Sequence, residues 1–348
     1  MARKVKIGVI GAGNFSKWHL DGIKSLENVE VVAISDVYYE KAKEKAEMFG
    51  IPNYYIDHKD VLAHEEIEAV TLPLPDQVHA KIAIDAMRAG KHVLCEKPMA
   101  LNREDCVAMI KVARETGMQL MVGQIGRYTP SFLVAKQIID SGEIGEMTFI
   151  ESEYAHDYNA SRGTDDWRVT PERHPILGGG CHAIDLIRMI AGNPEEVFAY
   201  ANNKGLPGWP INEATIACMK FPNGVIGKVF NSHGCKREYT MRTVVQGTKG
   251  TVIFDNTHPH ISIYKENFRG EGTDELYYGV KQKTVRVDIH APINNHNCAA
   301  EINDFCTCIA EGKPVTTDGV EGASTVAVGL AIVKSVETGL PQKVEYDF

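Results

Sequence analysis

Residues 91–99 read Lys-His-Val-Leu-Cys-Glu-Lys-Pro-Met, so that Glu96-Lys97-Pro98 follows directly on an apolar run. A lysine there has no obvious packing role, and an ammonium taken out of water is costly to keep charged. The proline after it fixes the backbone and narrows where the lysine points. In open α/β folds, chemistry sits at the carboxyl ends of parallel strands. A second constellation lies near the start of the chain. Gly11-Ala-Gly13-Asn-Phe-Ser16 follows a short apolar run and opens a helical pattern, and Asp36 closes the next apolar run. Two such glycines let backbone N–H groups approach a pyrophosphate. A carboxylate after the second strand accepts from a ribose 2′-hydroxyl and repels a 2′-phosphate. Gly11, Gly13 and Asp36 therefore point to a dinucleotide, NAD in preference to NADP, with Lys97 facing the nicotinamide ring. The third glycine of the usual fingerprint is replaced by Ser16. The plainer alternatives are an ordinary strand-to-helix turn for the glycines and a helix N-cap for Asp36.

These groups need a scaffold to hold them. Strand patterns at 4–10, 29–35, 69–72, 92–95 and 119–122 alternate with helical patterns at 17–26, 40–49, 61–65, 78–89 and 103–116. That alternation predicts an α/β domain with a parallel sheet and right-handed crossovers over residues 1–125. After Gly126 the texture changes. A long strand pattern at 147–153 leads into an irregular, polar and aromatic stretch at 154–181 and a helix at 183–191. Several strand patterns then follow between 196 and 290, with turns at 222–224 and 247–250, and helices at 301–309 and 323–338. Residues 126–348 are expected to form an α+β domain on a largely antiparallel sheet.

The bulk of the chain narrows the function classes. With 348 residues, 44% hydrophobic and 24% charged, it has the composition of a globular protein, and its net charge of −9 disfavours nucleic acid or an anionic membrane as the main partner. No run approaches the ~20 apolar residues of a membrane helix. The N-terminus enters a strand pattern with no apolar leader, which suggests a cytoplasmic protein. Eight cysteines show no C-x-x-C pair and are expected to be buried free thiols, and the thirteen histidines lack metal-ligand spacing, so no metal is expected.

Several segments together resemble the Gfo/Idh/MocA oxidoreductases. The stretch 86–98 (Ala-Met-Arg-Ala-Gly-Lys-His-Val-Leu-Cys-Glu-Lys-Pro) is similar to the family's most specific signature. Ser141-Gly-Glu-Ile-Gly145, Trp167-Arg168, Gly178-Gly-Gly-Cys-His-Ala-Ile-Asp185, residues 305–314 and Gly-Leu-Pro341 match further motifs, so the resemblance spans nearly the whole chain. It implies an N-terminal Rossmann domain and a C-terminal open-faced sheet that meets another subunit in a homodimer or homotetramer. It also implies hydride transfer between NAD(P) and a secondary alcohol on a sugar or cyclic polyol. By that similarity the cofactor pocket would draw on Gly11, Gly13, Asn14, Phe15, Asp36, Leu72, Pro73, His79 and Glu96, with Pro75 and Arg168 as further candidates. Lys97 would hydrogen-bond the reacting hydroxyl and stabilise a developing alkoxide.

The chain departs from the family at one motif. The usual pattern places an Asp four residues before the motif's histidine, and here that position is Gly178. His182 and Asp185 remain. Histidine suits general-base work near neutral pH, and Asp185, three residues on, is read as orienting it. The missing carboxylate could come from Asp157, Asp165 or Asp166. Tyr154, His156, Asp157 and Trp167 are expected on the substrate side, where rings and polar groups suit a carbohydrate. A second polar cluster, His290 to His296 with Asn294 and Asn295, could reach the same pocket. The favoured reading is an NAD-dependent dehydrogenase of a ring hydroxyl of a sugar or glycoside, with C3 the preferred carbon. Alternatives are an inositol dehydrogenase, an NAD-assisted glycoside hydrolase or lyase, and a non-catalytic NAD(H)-binding regulator.

Overall fold

The computed structural model describes residues 3–158, 166–266, 275–277, 280–291 and 297–348. They fall into two compact units. One comprises Met1–Ile125, His296–Val326 and Tyr346–Phe348, the other Gly126–Asn295 and Ala327–Glu345.

The first unit alternates strand and helix: β1 (Val5–Ile10), α1 (Ser16–Lys24), β2 (Val29–Ser35), α2 (Tyr39–Phe49), β3 (Asn53–Tyr55), α3 (His58–Leu62), β4 (Ala69–Leu72), α4 (His79–Arg88), β5 (His92–Glu96), α5 (Arg103–Thr116) and β6 (Leu120–Gly123). The sheet has the order β3-β2-β1-β4-β5-β6, parallel throughout. Strand order reverses at β1/β4, the switch point where open α/β sheets take a ligand. β4 and β6 are buried along their whole length, as strands covered on both faces must be. Gly50 and Gly117 close α2 and α5 in the left-handed conformation, and the Asn102 side chain caps the start of α5 by accepting from Asp105 N at 2.8 Å. The short edge strand β3 has no apolar run to announce it in the sequence.

The second unit opens with α6 (Pro130–Asp140) and β7 (Met147–Ala155), then α7 (Pro175–Gly178), α8 (Cys181–Ala191) and β8 (Glu196–Asn202). It continues with β9 (Ala214–Lys220), β10 (Ile226–Ser232), β11 (Thr240–Gly247), β12 (Gly250–Asp255), β13 (His260–Glu266), β14 (Glu275–Tyr277) and β15 (Val280–Asp288). The chain ends with α9 (Cys298–Glu311), α10 (Gly319–Thr338) and β16 (Gln342–Lys343). The ten strands form one sheet, β14-β15-β13-β12-β11-β7-β10-β9-β8-β16, antiparallel except for β7 against β10. α8 packs on β7, β10 and β11 and covers one face. On the other face Ile216 and Cys218 stand exposed on β9, alternating with buried Thr215, Ala217 and Met219.

The C-terminal segment differs from the expected division at 125/126. Residues 126–348 do not all belong to the second unit, because α9 packs on α1, β1 and β5. Gly22 permits this: a Cβ there would lie 2.9 Å from the backbone N of Ala299. α10 is long and apolar enough to cross a membrane by composition alone, yet 61% of its apolar 18-residue stretch is buried inside the fold. Val328 and Ile332 are fully buried, and the apolar character of α10 is that of a core helix. All eight cysteines are free. Six are buried, while Cys218 is exposed and Cys235 half-buried, so the expectation of buried thiols fails at those two positions.

Candidate active site

In the first unit, the turn after β1 is shaped by close approach. Gly11 has φ +108, and a Cβ on it would meet the Pro73 carbonyl oxygen at 2.8 Å. Its N–H donates to Ser35 O at 2.8 Å, joining the ends of β1 and β2. Around the Cβ position of Gly13, by contrast, nothing lies within 4 Å. Ser16 Oγ donates to Gly13 O at 2.6 Å, so the hydroxyl that replaces the third glycine braces the turn from within. α1 begins there without a side-chain cap, leaving the partial positive charge of its first turn for an anion. Asn14 is exposed and Phe15 half-buried, its ring edge-on to His19 at 5.5 Å. Asp36 accepts from Ala12 N at 2.8 Å and Tyr38 N at 2.9 Å, which fixes its carboxylate beside the glycine turn. A dinucleotide fits this set: open space at Gly13, an uncapped helix and an anchored carboxylate.

Leu72 and Pro73 are buried at the end of β4, and Pro75 is half-buried two residues on. His79 is buried, with Nδ1 3.0 Å from Pro98 O and Nε2 3.0 Å from Leu74 O. Its ring, expected at the cofactor, thus clamps the turn after β4 to the turn that carries Lys97. The Lys97–Pro98 peptide is cis.

Glu96 is the last residue of β5. Its Oε1 lies 2.9 Å from His19 Nε2, and its Oε2 accepts from Lys97 N at 3.2 Å. Burial pushes this carboxyl up. The His19 hydrogen bond and charge, with Lys97 and His79, outweigh burial and hold it below the ordinary glutamate range. Lys97 is half-buried beside this ionised partner. The sequence offered one sign of His19, its place three residues after Ser16 on the same face of α1.

In the second unit, His182 is the second residue of α8 and buried. Its ring lies nearly parallel to that of Tyr154, 5.7 Å between centroids at 15°. Tyr154 in turn meets His233 and Tyr239 edge-on, and its hydroxyl is 3.2 Å from His156 Nδ1. Tyr158 stacks on His233 at 4.1 Å. Burial first, then Tyr158 and Tyr239, push the Tyr154 hydroxyl well above its usual range, so it works as a neutral hydrogen-bonding group. Tyr154 and His156 of the expected substrate side are therefore together with His182. Asp157 sits at the rim, 3.3 Å from Lys236 Nζ. His233 and Tyr239 carry no motif that could have singled them out.

The three glycines before His182 are required by what they face. A Cβ on Gly178 would lie 2.3 Å from Arg173 Nη1, one on Gly179 2.4 Å from His233 Nε2, and one on Gly180 2.7 Å from Ile176 Cδ1. Where the resemblance leads one to expect a carboxylate, at position 178, the space is filled by the buried Arg173 guanidinium. That guanidinium lies 4.9 Å from the Trp167 ring, and Arg168 lies over the same ring at 3.9 Å while pairing with Asp166. Trp167 is thus flanked by two cations. Arg168, a candidate for cofactor contact, belongs by chain position to this second unit.

Asp185, expected to orient His182, carries a bidentate ion pair. Its two oxygens accept from Arg127 Nε and Nη2, both at 2.8 Å, and Arg188 Nη1 is 3.6 Å away. The bidentate pair ties α8 to Arg127, in the turn Ile125–Tyr128, so that Asp185 anchors the helix. His290 is exposed, while Asp165, Asn294, Asn295 and His296 lie outside the described residues.

A parallel sheet with a glycine turn at its switch point, an acidic residue after β2 and a lysine at the end of β5 defines a nicotinamide-nucleotide oxidoreductase. Residues 5–124 match the model of the oxidoreductase family with NAD-binding Rossmann fold, GFO_IDH_MocA, and residues 132–253 match the GFO/IDH/MocA C-terminal domain. The chain belongs to the Gfo/Idh/MocA family and is an NAD(P)-dependent oxidoreductase acting on CH–OH groups. It is 26% identical to the myo-inositol 2-dehydrogenase of Thermotoga maritima, over 98% of this chain and 99% of the relative. It is 25% identical to the scyllo-inositol 2-dehydrogenase (NAD(+)) of Bacillus subtilis, over 99% and 98%. In fold it is similar to levoglucosan dehydrogenase in complex with NADH and levoglucosan, with a TM-score of 0.87 and 24% identity over 99% of this chain and 100% of the other.

Proposed function

We propose that this protein is an NAD-dependent dehydrogenase that oxidises a ring secondary hydroxyl of a sugar or glycoside, with C3 the preferred carbon and a 3-keto sugar the product. The observation that carries the reading is Lys97, half-buried at the end of β5 and backed by a carboxylate held ionised. Gly11, Gly13 and the first turn of α1 would hold the pyrophosphate, and Asp36 the adenosine ribose, where its charge favours NAD over NADP. When bound, the nicotinamide supplies the hydride acceptor. Lys97 presents an ammonium to the reacting oxygen and lowers the cost of its negative charge. His182, held in plane by Tyr154, accepts the hydroxyl proton. Tyr154, His156 and Tyr158 offer ring faces and polar edges of the kind that bind carbohydrate.

An inositol as substrate is the second reading, favoured by the relatives named inositol dehydrogenases. A homo-oligomer is supported by the exposed sheet face, where Tyr200 pairs with Ile216 and Ile216 with Phe230 across β8, β9 and β10. Tyr200 is 68% exposed there, an apolar surface that a second copy would cover. The test is an NADH-fluorescence screen over inositols, aldoses and glycosides. At least one should form NADH with the wild-type protein and none with Lys97→Ala. Binding of NAD with no turnover on any of them would refute the dehydrogenase reading.

A further inference from the structure

α9 lays an apolar face of Cys298, Ile302, Phe305 and Ile309 against α1, β1 and β5. Glu301 stands in that face at 0% exposure, and neither of its side-chain oxygens has a hydrogen-bond partner. A buried carboxylate without partners is costly to keep charged and takes up a proton instead. The charged and titratable groups around it are Glu96 and Lys97 at the end of β5 and Cys298 and Asp304 on its own helix, with His19 of α1 one hydrogen bond further on, at Glu96. His19 gives Nε2 to Glu96 and keeps a buried Nδ1 with no partner. The seam of α1 and α9 is too tight to admit solvent freely, since the backbones touch at Gly22 and Ala299.

Two carboxyls therefore lie where α9 meets the end of β5, within the field of one lysine, and their surroundings drive them apart. Glu96 has His19 and the Lys97 amide to satisfy its oxygens, while Glu301 has neither. Burial first, then the negative charge of Glu96, push the Glu301 carboxyl well up, against a smaller pull from Lys97. Burial likewise pushes the neighbouring Cys298 thiol up. Divergence of a carboxyl pair by environment is how proteins keep one acid neutral beside one that is charged.

We propose that Glu301 is a positioning residue of the lysine centre, a buried carboxylic acid whose neutrality leaves Glu96 as the carboxylate charge acting on Lys97. The ammonium is then free to serve the reacting hydroxyl instead of being pinned between two negative charges. Ionisation of Glu301 at alkaline pH supplies the second charge and slows turnover. The proposal rests on the role given to Lys97 above, but its protonation state does not.

Infrared spectra of the full chain test that state directly. The wild-type protein at neutral pH should show the carbonyl band of a protonated buried carboxyl, which fades as pH rises and is missing in Glu301→Gln. Stability gives an independent reading. A glutamate whose folded pKa is raised contributes stability that is present at acid pH and lost as pH climbs toward the folded value. The Tm of Glu301→Gln should therefore rise relative to wild type as pH increases above about 5, where an unfolded glutamate ionises. With a substrate in hand, the ratio of kcat between Glu301→Gln and wild type should climb severalfold from neutral to alkaline pH, with no matching change in KM for NAD. A wild-type protein with no protonated-carboxyl band at neutral pH overturns the proposal, and so does a kcat ratio that is flat with pH. The infrared band needs no substrate, so a failed dehydrogenase assay leaves that arm decisive.

Discussion

The lysine centre of the first unit and the histidine centre of the second are built on opposite principles. Around Lys97 the partners are charges and backbone: Glu96, His19, the His79 clamp and the carbonyl ends of parallel strands. Around His182 they are rings: Tyr154 stacked on it, with His233, Tyr239, His156 and Tyr158 beyond. A field from fixed charges acts through space and depends on protonation, whereas ring packing acts by shape and depends on volume. Substitutions at the first centre should therefore move rates and pH profiles. Those at the second should respond also to the size of what replaces a side chain.

The largest effect is expected at Lys97. Lys97→Ala should lower kcat by about 10³-fold while NAD affinity stays within a few-fold, as for loss of a group that stabilises charge in the transition state. Steady-state kinetics with a separate NAD titration check this. An equal loss in cofactor affinity would break the contrast. Next comes Arg127→Ala, which removes the bidentate partner of the buried Asp185 and keeps the longer Arg188 contact. It should cost about 3 kcal/mol in denaturant unfolding, the low end for breaking a buried pair. If stability is unchanged but activity collapses, Asp185 serves His182 and is no anchor. His182→Asn should reduce kcat by about 10²-fold and remove the acid limb of its pH profile. Retention of that limb would move the base elsewhere. The smallest effect is at Gly178→Ala, whose methyl would press on the Arg173 guanidinium. A loss of about 1–2 kcal/mol in Tm-based stability is expected, and Arg173→Ala in the same chain should recover part of it.

Legibility in the sequence followed the range of each interaction. The glycine turn, Asp36 and Lys97 are tied to strand ends within a few residues, so spacing alone located them. The same holds for α5 with its Asn102 cap and Gly117 stop, both local signals. The Arg127 partner of Asp185 was illegible for the opposite reason. A spacing of three on a helix suggested His182 as partner, and gave no sign of the ion pair with Arg127, 58 residues away. α9 was assigned to the wrong unit because nothing in its amphipathic pattern says which sheet its apolar face will meet.

What the sequence determined by itself was the parallel sheet, the nucleotide turn and the placement of a lysine at the end of β5, because each follows from periodicity and local backbone requirements. Only the tertiary structure decided that Glu96 is held below and Glu301 pushed above the ordinary glutamate range, that Arg173 fills the place beside Gly178, and that His182 lies against Tyr154. Those outcomes depend on burial and on neighbours distant in the chain, and a carboxyl, a guanidinium or an imidazole carries no mark in the sequence of the environment that will set its charge.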